Sequence, residues 1–376
     1  MNRAADKFEP IWVAGFMSGT SIDAVDAALL RTDGVKVYDF GPVVERKYTA
    51  QERSVLKEAT DAARAWNWTG PYPQTLFDQA KDVVTKTHIE AFNRLRESAA
   101  EQEIKLAGVH GQTVLHRRPT SASSGATLQL IDPAPIASAF GVGLAYDFRS
   151  NDVRAGGEGA PLAPIYHSAL MESLGNEPMV VLNLGGVANI TARMSDGDLI
   201  AFDTGPANGP IDEWIEGHDR GTCDYEGRYA AAGSVHEGLL AGLFEHSWFS
   251  QPPPKSLDRY DFNASMARGL SLEDGAATLT AFSARAVAAG LARLSEQPVK
   301  VIACGGGRHN PTLMSMLAEC LPCPILSAED VGWRGDSIEA EAFAFLAVRT
   351  LRGLPISFPL TTGVPHPLNG GELRSP

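Results

Sequence analysis

Four times along this chain an apolar run with the character of a buried strand ends at a turn built around glycine. The pairs of run and turn are Ile11–Phe16 with Ser18-Gly19-Thr20, Val180–Leu184 with Gly185-Gly186, Ile200–Phe202 with Asp203-Thr204-Gly205-Pro206, and Val301–Ala303 with Gly305-Gly306-Gly307. Glycine at the end of a buried strand allows the backbone to approach a ligand closely. One such turn is routine, whereas four in order predict that several strand ends converge on a ligand.

The first of these turns has the composition of a phosphate-binding β-hairpin. Gly19 permits close approach, and Ser18, Thr20 and Ser21 add hydroxyl groups beside the backbone amides. Asp23 follows at a position where a carboxylate can hold a hydrated Mg²⁺ ion against phosphates. The Gly-x-x-x-x-Gly-Lys-Ser/Thr string of a Walker loop does not occur. Taken alone, the same residues describe a polar hairpin turn without a ligand equally well.

Chain length indicates the number of domains, and net charge excludes some classes of partner. With 376 residues and 44% hydrophobic content the chain can form two cores, because single domains usually have about 250 residues or fewer. Its formal net charge of −13 argues against a nucleic-acid or anionic-membrane partner. Any anionic ligand must therefore be bound by local groups.

Cysteine usage and apolar runs indicate a cytoplasmic protein. Four cysteines do not form a disulfide framework in a chain of this length. Cys320 and Cys323 have the spacing of half a zinc knuckle, but no second pair exists, so spectator thiols are favoured. The segment Met1–Pro10 is charged and lacks the apolar core of a signal peptide. No apolar stretch approaches the roughly 20 residues that span a bilayer.

Apolar periodicity predicts an α/β architecture with two mixed-sheet domains. Strands are expected near 11–17, 25–30, 35–40, 104–109, 178–184, 187–193, 198–202 and 299–303, and helices over 75–100, 274–294 and 336–351. A Pro-punctuated segment, 132–137, starts a short helix that is expected to cross between the domains. The predicted boundary lies near residue 140, with a phosphate-hairpin domain over 1–140 and a second domain over 141–376 that carries Asp203 and the Gly305 turn.

Two carboxylates are the first candidates for chemistry. Asp203 follows an apolar strand and precedes a Gly-Pro turn, so it is expected on a rigid strand end, where it suits a general base. An aspartate that caps the turn over 204–207 explains the same position. Glu339 lies near the start of a predicted helix, where a carboxylate stabilises the helix dipole.

Three further residues are candidate ligand contacts with structural alternatives. Asp147 and Arg149 stand two apart on a run expected to be extended, so their side chains should point to one side. Arg149 can form a bidentate pair with a ligand carboxylate or a structural contact with Asp147. His110, with Gln112 and Thr113 after it, is either a ligand contact or a packed histidine.

Several strings, taken in order, resemble the actin, hexokinase and Hsp70 superfamily of ATP-using two-domain proteins, and within it the anhydro-N-acetylmuramic acid kinase family. Besides the hairpin, these strings are His110–Thr113, Asp147–Arg149, Gly156–Leu162, Asn183–Asn189, Phe202–Asn208, Cys304–Asn310 and Glu339–Phe343. They run from about the twentieth residue almost to the last, so the resemblance covers nearly the whole chain.

The resemblance implies a function. It implies an ATP- and Mg²⁺-dependent kinase that opens 1,6-anhydro-N-acetylmuramic acid hydrolytically and phosphorylates O6, giving N-acetylmuramic acid 6-phosphate and ADP in peptidoglycan recycling. The implied fold is actin/hexokinase-like, with ATP and sugar in a cleft between the domains. Asp203 falls on the family's catalytic aspartate, the base that deprotonates the attacking water, and Glu339 falls beside the sugar. Family members are typically homodimers.

The resemblance also implies the remaining site residues. Nucleotide, phosphate or Mg²⁺ would be bound by Gly19, Thr20, Ser21, Ile22, Asp23, Ala24, Val25, Asp26, Gly185, Gly186, Gly205, Gly305, Gly306, Gly307 and Asn310. Of these, Asp23 would orient the metal. The sugar would contact His110, Gln112, Thr113, Asp147 and Arg149, with Arg149 on the lactyl carboxylate.

Three positions depart from the family pattern: Ala24 and Ala207 replace usual glycines, and Glu158 replaces a usual glutamine. Two other functions fit the same residues. One is an ordinary hexose kinase, in which Asp203 deprotonates a sugar hydroxyl. The other is a non-catalytic sensor of ATP and sugar, against which the retention of Asp203, Asp23 and Glu339 argues.

Overall fold

The computed structural model describes residues 8–120, 123–257 and 261–376 and divides into two compact units. Unit 1 comprises Met1–Leu170 with Ser337–Pro376, and unit 2 comprises Met171–Asp336. This division differs from the predicted domains 1–140 and 141–376, because the chain returns to unit 1 for its last forty residues. Most of the charged N-terminal segment lies outside the described residues.

The secondary structure elements are numbered in chain order. The strands are β1 (Ile11–Ser18), β2 (Ala24–Thr32), β3 (Val37–Lys47), β4 (Ile104–Arg117), β5 (Ala126–Leu130), β6 (Gly143–Tyr146), β7 (Met179–Leu184), β8 (Val187–Arg193), β9 (Leu199–Pro206), β10 (Lys300–Cys304), β11 (Ile325–Ser327) and β12 (Glu372–Arg374). The α-helices are α1 (Ala50–Trp66), α2 (Gln74–Ala99), α3 (Pro133–Phe140), α4 (Ser150–Arg154), α5 (Pro164–Glu172), α6 (Asn208–Gly217), α7 (Arg228–Ala232), α8 (Glu237–Leu243), α9 (Leu272–Leu291), α10 (Pro311–Cys320), α11 (Ile338–Leu351) and α12 (Pro359–Thr362).

Local sequence explains where several helices begin. Thr49 and Glu52 form a reciprocal capping box at α1. Asp132 accepts a hydrogen bond from the Ala134 amide at the start of α3, and Pro133 takes the first helical position. The predicted helix after the Pro-punctuated segment is therefore confirmed. It packs against α2 and β6 of unit 1, so the expectation that it crosses between domains is wrong. The chain leaves unit 1 within α5 instead.

The sheet of unit 1 has the order β12-β6-β4-β1-β2-β3, and β5 pairs with β4. The predicted hairpin is confirmed, since β1 and β2 pair antiparallel with Ser18 opposite Val25. Strand β4 begins at Ile104 as expected but continues to Arg117. His110–Thr113 therefore lies inside a strand and not in a turn after it, because this stretch pairs with β1 and β5.

Each face of this sheet is covered by a different helix. Phe16 of β1 packs with Phe92 of α2 and Phe140 of α3, with ring centroids 6.3 and 5.3 Å apart. Side chains alternate along a strand, so Gly15 faces the opposite side. A Cβ atom built on Gly15 would lie 1.9 Å from the carbonyl oxygen of Ala340 in α11. This close helix–sheet contact ties the C-terminal segment to unit 1.

The sheet of unit 2 has the order β11-β10-β7-β8-β9, with β10 parallel to β7 and β11 and the β7–β8–β9 meander antiparallel. Its core joins Leu182, Ile190 and Phe202 to Val287 of α9 and Leu313 of α10. The expected α/β class with two mixed sheets is confirmed. In the described part of the chain, no helix is both long and apolar enough to cross a membrane.

Candidate active site

The turn between β1 and β2 is held by a buried glutamine. The Gln112 side chain accepts a 2.6 Å hydrogen bond from Ser18 Oγ and donates through Nε2 to the Gly19 carbonyl at 3.2 Å. Ser18 Oγ also lies 2.9 Å from the hydroxyl of Tyr48. Gln112 is fully buried, so its place in the structure is to position the hairpin turn. Tyr48 carried no signal in the sequence.

The tip of this turn fits a phosphate and a hydrated metal ion. A Cβ atom on Gly19 would meet its nearest neighbour, Ser21 Oγ, at 3.5 Å, an ordinary contact, so the fold itself does not require glycine there. Thr20, Ser21 and Asp23 are exposed. The Asp23 carboxylate lies 3.2 Å from the Arg53 guanidinium. Exposed carboxylate and hydroxyl oxygens suit Mg²⁺ that keeps most of its water ligands.

The other hairpin residues lie inside the sheet or support the turn. Ile22 adopts a left-handed φ of 56°, and its amide donates to the Gly19 carbonyl. Ala24 and Val25 are buried in β2, and Asp26 is partly buried beside them. The methyl group of Ala24 is accommodated in the core.

Asp203 lies in a row of polar side chains that crosses the sheet of unit 2. Adjacent strands place Cys304 opposite Asn183, Asn183 opposite Asn189, and Asn189 opposite Asp203. Register partners share one face of a sheet, so this row presents amide and carboxylate groups together. The row interrupts a sheet whose other positions are mostly buried and apolar, as expected for a ligand-binding position.

The backbone around Asp203 is extended. Strand β9 ends at Pro206, and Gly205 pairs with Ala188. The expected turn over 204–207 is therefore strand for most of its length, and the alternative in which Asp203 caps that turn does not apply. The carboxylate accepts a 2.7 Å hydrogen bond from the Leu257 amide instead. A Cβ atom on Gly205 would lie 2.6 Å from the Ala286 methyl, so packing alone requires this glycine.

Two of the glycine turns are joined by hydrogen bonds. The amide of Ala207 donates to the Gly186 carbonyl at 3.1 Å, and the amide of Asn208 donates to the Gly185 carbonyl at 2.9 Å. The Asn208 side chain donates to the carbonyl of Leu184 at 3.0 Å. Ala207 has a negative φ of −128°, and its methyl group is fully buried.

The fourth turn, at the end of β10, contains glycines in two different environments. Gly305 has a φ of +74°, and a Cβ atom there would lie 2.3 Å from Asn183 Oδ1. At Gly307 a Cβ atom would lie 2.7 Å from the Leu184 side chain. Around Gly306 no atom lies within 4 Å of such a Cβ position. The fold requires the outer two glycines, whereas the middle one faces open space.

That open space is a cavity of about 560 Å³ within unit 2. Its lining residues are Asn208, Ile211, Asp212, Cys223, Asp224, Tyr225, Glu226, Gly306, Gly307, His309 and Asn310. The volume lies in the range of small-ligand sites, and the lining includes Gly306, Gly307 and Asn310. Asp212 and Tyr225 were not predicted, although an aspartate one helical turn after Asn208 was visible in the sequence.

Two lining residues have distinct electrostatic and structural roles. Burial, together with the charges of Glu216 and Asp224, raises the pKa of the Asp212 carboxyl to about 7. Asn310 accepts a hydrogen bond from the Leu313 amide and so caps α10. The cap explains the position of Asn310 at the cavity rim without a ligand.

A buried arginine braces the fourth turn, after β10. The Arg308 side chain is 2% exposed and lies 2.8 Å from both Glu329 and Asp336. It also donates to the carbonyl of Gly305 at 3.0 Å. Two carboxylates therefore hold the cation that fixes the turn.

In unit 1, His110 and Arg149 form a hydrogen-bonded pair. Arg149 Nε donates to His110 Nε2 at 2.8 Å, and His110 Nδ1 lies 2.8 Å from the Gly111 carbonyl. The ring is therefore neutral with its proton on Nδ1. Burial lowers the His110 pKa well below its usual value, and the Arg149 charge lowers it further. His110 is thus a packed histidine that positions Arg149.

Arg149 is fixed on its other side by the loop over 156–159. It donates to the Gly159 carbonyl at 2.6 Å, and the Gly159 amide donates to the Asp152 carboxylate at 2.6 Å. Burial lowers the pKa of Arg149 to about 10, while the Glu339 and Asp152 carboxylates raise it. The guanidinium therefore stays charged at neutral pH.

The prediction that the backbone is extended from Asp147 to Arg149 is wrong. Asp147 has a left-handed φ of 49°, and its carboxylate accepts a 2.5 Å hydrogen bond from Ser150. The side chains of Asp147 and Arg149 thus serve different partners. Thr113 accepts a hydrogen bond from Gln129 on β5. Glu339 is the second residue of α11 and remains exposed.

The family model and the curated relatives agree with one another. The family model for anhydro-N-acetylmuramic acid kinase matches residues 11–373. The chain is 52% identical over 364 residues to the anhydro-N-acetylmuramic acid kinase of Caulobacter vibrioides, covering 96% of this chain and 98% of that protein. It is 51% identical over 369 residues to that of Rhizobium rhizogenes, covering 97% and 99%. A solved ROK family glucokinase from Streptomyces griseus, in complex with glucose and AMPPNP, is 11% identical with a TM-score of 0.38, covering 89% and 99%.

Proposed function

Because the chain belongs to the anhydro-N-acetylmuramic acid kinase family, we propose that it opens 1,6-anhydro-N-acetylmuramic acid with water and phosphorylates the released O6 with ATP. Family membership makes it an ATP-using kinase that acts on a small sugar. The observation that carries the proposal is Asp203, oriented by the Leu257 amide in a polar row of the sheet of unit 2. The glycine turn after β10 of the same sheet lines the cavity. The products are N-acetylmuramic acid 6-phosphate and ADP.

Asp203 is the proposed base. Its carboxylate takes a proton from water as the water oxygen bonds to the anomeric carbon, and the bond from that carbon to O6 breaks. The electron pair stays on O6, which bonds to the γ-phosphorus of ATP as the bond to the ADP oxygen breaks. Phosphoryl transfer of this kind depends on positioning and charge stabilisation.

The hairpin turn is the proposed phosphate site. Exposed hydroxyls of Thr20 and Ser21 and the open position at Gly19 support contact with phosphate oxygens. Asp23 would hold Mg²⁺ through water, and the ion when bound neutralises phosphate charge. The Gly305–Gly307 turn and the cavity would take the adenosine.

Arg149 and Glu339 are proposed sugar contacts. Arg149 keeps its charge because its burial lowers the pKa only to about 10. A fixed guanidinium suits the lactyl carboxylate of a muramic acid. Glu339 stands next to Ala340, whose carbonyl lies against Gly15 of β1. The helix–sheet contact therefore gives Glu339 a rigid support from which to orient a sugar hydroxyl.

Turnover in heavy-oxygen water tests the reaction. The label is expected on the C1 hydroxyl of the product and not on the oxygen that bridges C6 and phosphorus, because O6 is already present in the substrate. Without ATP the anhydro-sugar is expected to persist, since the leaving O6 has no phosphoryl acceptor. Product without label when quenched before exchange of the reducing end would instead favour an ordinary hexose kinase.

Homodimer formation and a cytoplasmic location are further proposals. Family resemblance supports the dimer, and the edge strand β3 exposes Tyr38, Phe40 and Val43, an apolar surface that a second copy would cover. Dependence on ATP supports the cytoplasm. Light scattering of the native protein and of Tyr38→Glu tests the dimer, since a monomeric native protein would contradict it.

A further inference from the structure

The C-terminal segment of unit 1 contacts the loop over 156–159 through Thr362, the last residue of α12. The amide of Glu158 donates to the Thr362 carbonyl at 2.7 Å. The Thr362 hydroxyl donates to Asp152 Oδ2 at 2.5 Å, and the Gly159 amide donates to Asp152 Oδ1 at 2.6 Å. Thr362 lies 210 residues after Asp152, so local sequence gives no sign of this link.

The Asp152 carboxylate is buried and fully used. Asp152 is 1% exposed and Thr362 is 0% exposed. One carboxylate oxygen accepts a backbone amide and the other accepts a hydroxyl, as a buried carboxylate requires if it is not to destabilise the fold. A Cβ atom at Gly157 would lie 2.2 Å from Asp152 Oδ1. The loop over 156–159 is therefore wrapped closely around a fixed carboxylate.

The loop in turn fixes the guanidinium of Arg149. Nη1 donates to the Gly159 carbonyl at 2.6 Å, and Nε donates to His110 Nε2 at 2.8 Å. No residue that the structure describes accepts a hydrogen bond from Nη2. Two of the three nitrogens are thus held by the protein, and Nη2 is left for an anionic oxygen of a ligand.

We propose that Asp152 and Thr362 are positioning residues of the sugar site, which set the direction of the Arg149 guanidinium through the Gly159 carbonyl. This inference rests on the proposed function, in which Arg149 binds the lactyl carboxylate. Contact between a guanidinium and a carboxylate depends on the orientation of the planar guanidinium, so a shift of the Gly159 carbonyl weakens the binding of the sugar. Asp203 and the cavity belong to unit 2, so the base and the adenosine site are expected to be undisturbed.

The test removes the Thr362 hydroxyl and then restores it. Thr362→Val keeps the shape of the side chain, and the KM for the anhydro-sugar is expected to rise about fivefold or more. The kcat and the KM for ATP are expected to change less than about twofold, the pattern of a lost ground-state contact. Thr362→Ser restores the hydroxyl and should return the sugar KM to within about twofold of the native value. Asp152→Asn leaves one acceptor oxygen for two donors, so the same rise in sugar KM is expected.

Thr361→Val is the matched control. Thr361 is 3% exposed, and its hydroxyl donates to the Phe358 carbonyl at 3.1 Å, a contact within its own segment. Its loss should lower thermal stability to an extent comparable with Thr362→Val and leave the sugar KM unchanged. A Thr362→Val variant that is less stable but has a native sugar KM, or an equal rise in sugar KM in Thr361→Val, overturns the inference.

A double-mutant cycle with Arg149→Ala separates this inference from the proposed function. If Thr362 acts through Arg149, Thr362→Val should cause no further loss of kcat/KM for the sugar in the Arg149→Ala background. Additive losses overturn the positioning role and leave the proposed sugar contact of Arg149 standing. A native sugar KM in Arg149→Ala overturns both. The heavy-oxygen label at C1 tests the reaction itself, and its outcome does not depend on these variants.

Discussion

Gly15 and Gly108 are register partners on the parallel strands β1 and β4, and both lie directly beneath α11. A Cβ atom would lie 1.9 Å from the Ala340 carbonyl oxygen at Gly15 and 2.1 Å from the Phe343 carbonyl oxygen at Gly108. The pair forms the groove in which the helix that carries Glu339 lies.

Gly15→Ala is expected to destabilise the fold because its methyl group meets helix backbone that cannot move aside. The expected loss of unfolding free energy is roughly 3 kcal/mol, the upper end of the overpacking range, as measured by urea denaturation. Gly217→Ala is the control, since no atom lies within 4 Å of its Cβ position. Equal stability of the two variants would contradict the close packing of α11.

Asp203→Asn is expected to fold, bind ATP and lose turnover by roughly 10² to 10⁴, the usual contribution of a positioned base. The asparagine oxygen can still accept the Leu257 amide, so the loop should be preserved. Steady-state kinetics and calorimetric titration with a non-hydrolysable ATP analogue measure the two properties. Near-native turnover would exclude Asp203 as the base.

Gly306→Ala and Gly307→Ala are expected to fail in different ways. The added methyl at Gly306 points into open space, so thermal stability should be unchanged while affinity for the ATP analogue falls about tenfold or more. At Gly307 the methyl would lie 2.7 Å from Leu184, so stability should fall. Native nucleotide affinity in Gly306→Ala would mean that this turn does not touch the nucleotide.

Removal of divalent ions is expected to abolish phosphoryl transfer, and Asp23→Ala should raise the Mg²⁺ concentration needed for half-maximal rate. Arg53→Ala is the matched control because Arg53 is the ion-pair partner of Asp23. Loss of this exposed pair costs little stability and leaves the carboxylate in place for the metal. An unchanged Mg²⁺ titration in Asp23→Ala would remove Asp23 from the site.

Asp212 is expected to make stability fall as pH rises. Burial raises its pKa from 3.8 to about 7, so the folded state retains a proton that the unfolded state releases above about pH 4. Stability is therefore lost between about pH 4 and 7, and Asp212→Asn should be more stable than the native protein at pH 8 by on the order of 1–2 kcal/mol.

Urea denaturation at pH 4 and pH 8 measures this difference, which should vanish at the lower pH. Glu216→Gln removes one of the charges that raise the Asp212 pKa and should give a smaller gain. A gain that is independent of pH would show that the carboxylate is not the cause.

The sequence by itself determined the local elements of this protein and singled out the groups that are proposed to react. The spacing of apolar residues and the residue types in turns predicted the β1–β2 hairpin and α2 to within a few residues. Both elements depend on residues that are near one another in the chain. The string of motifs, including Asp203 and the Gly305 turn, was enough to indicate the family that the comparisons then showed.

Tertiary structure decided which residues support those groups. Leu257 reaches Asp203 through a loop distant in sequence, and Gln112 reaches the hairpin turn from β4. The left-handed backbone at Asp147 and the return of α11 to unit 1 were likewise invisible. Hydrogen bonds and packing between distant segments have no period along the chain, so only the folded arrangement reveals them.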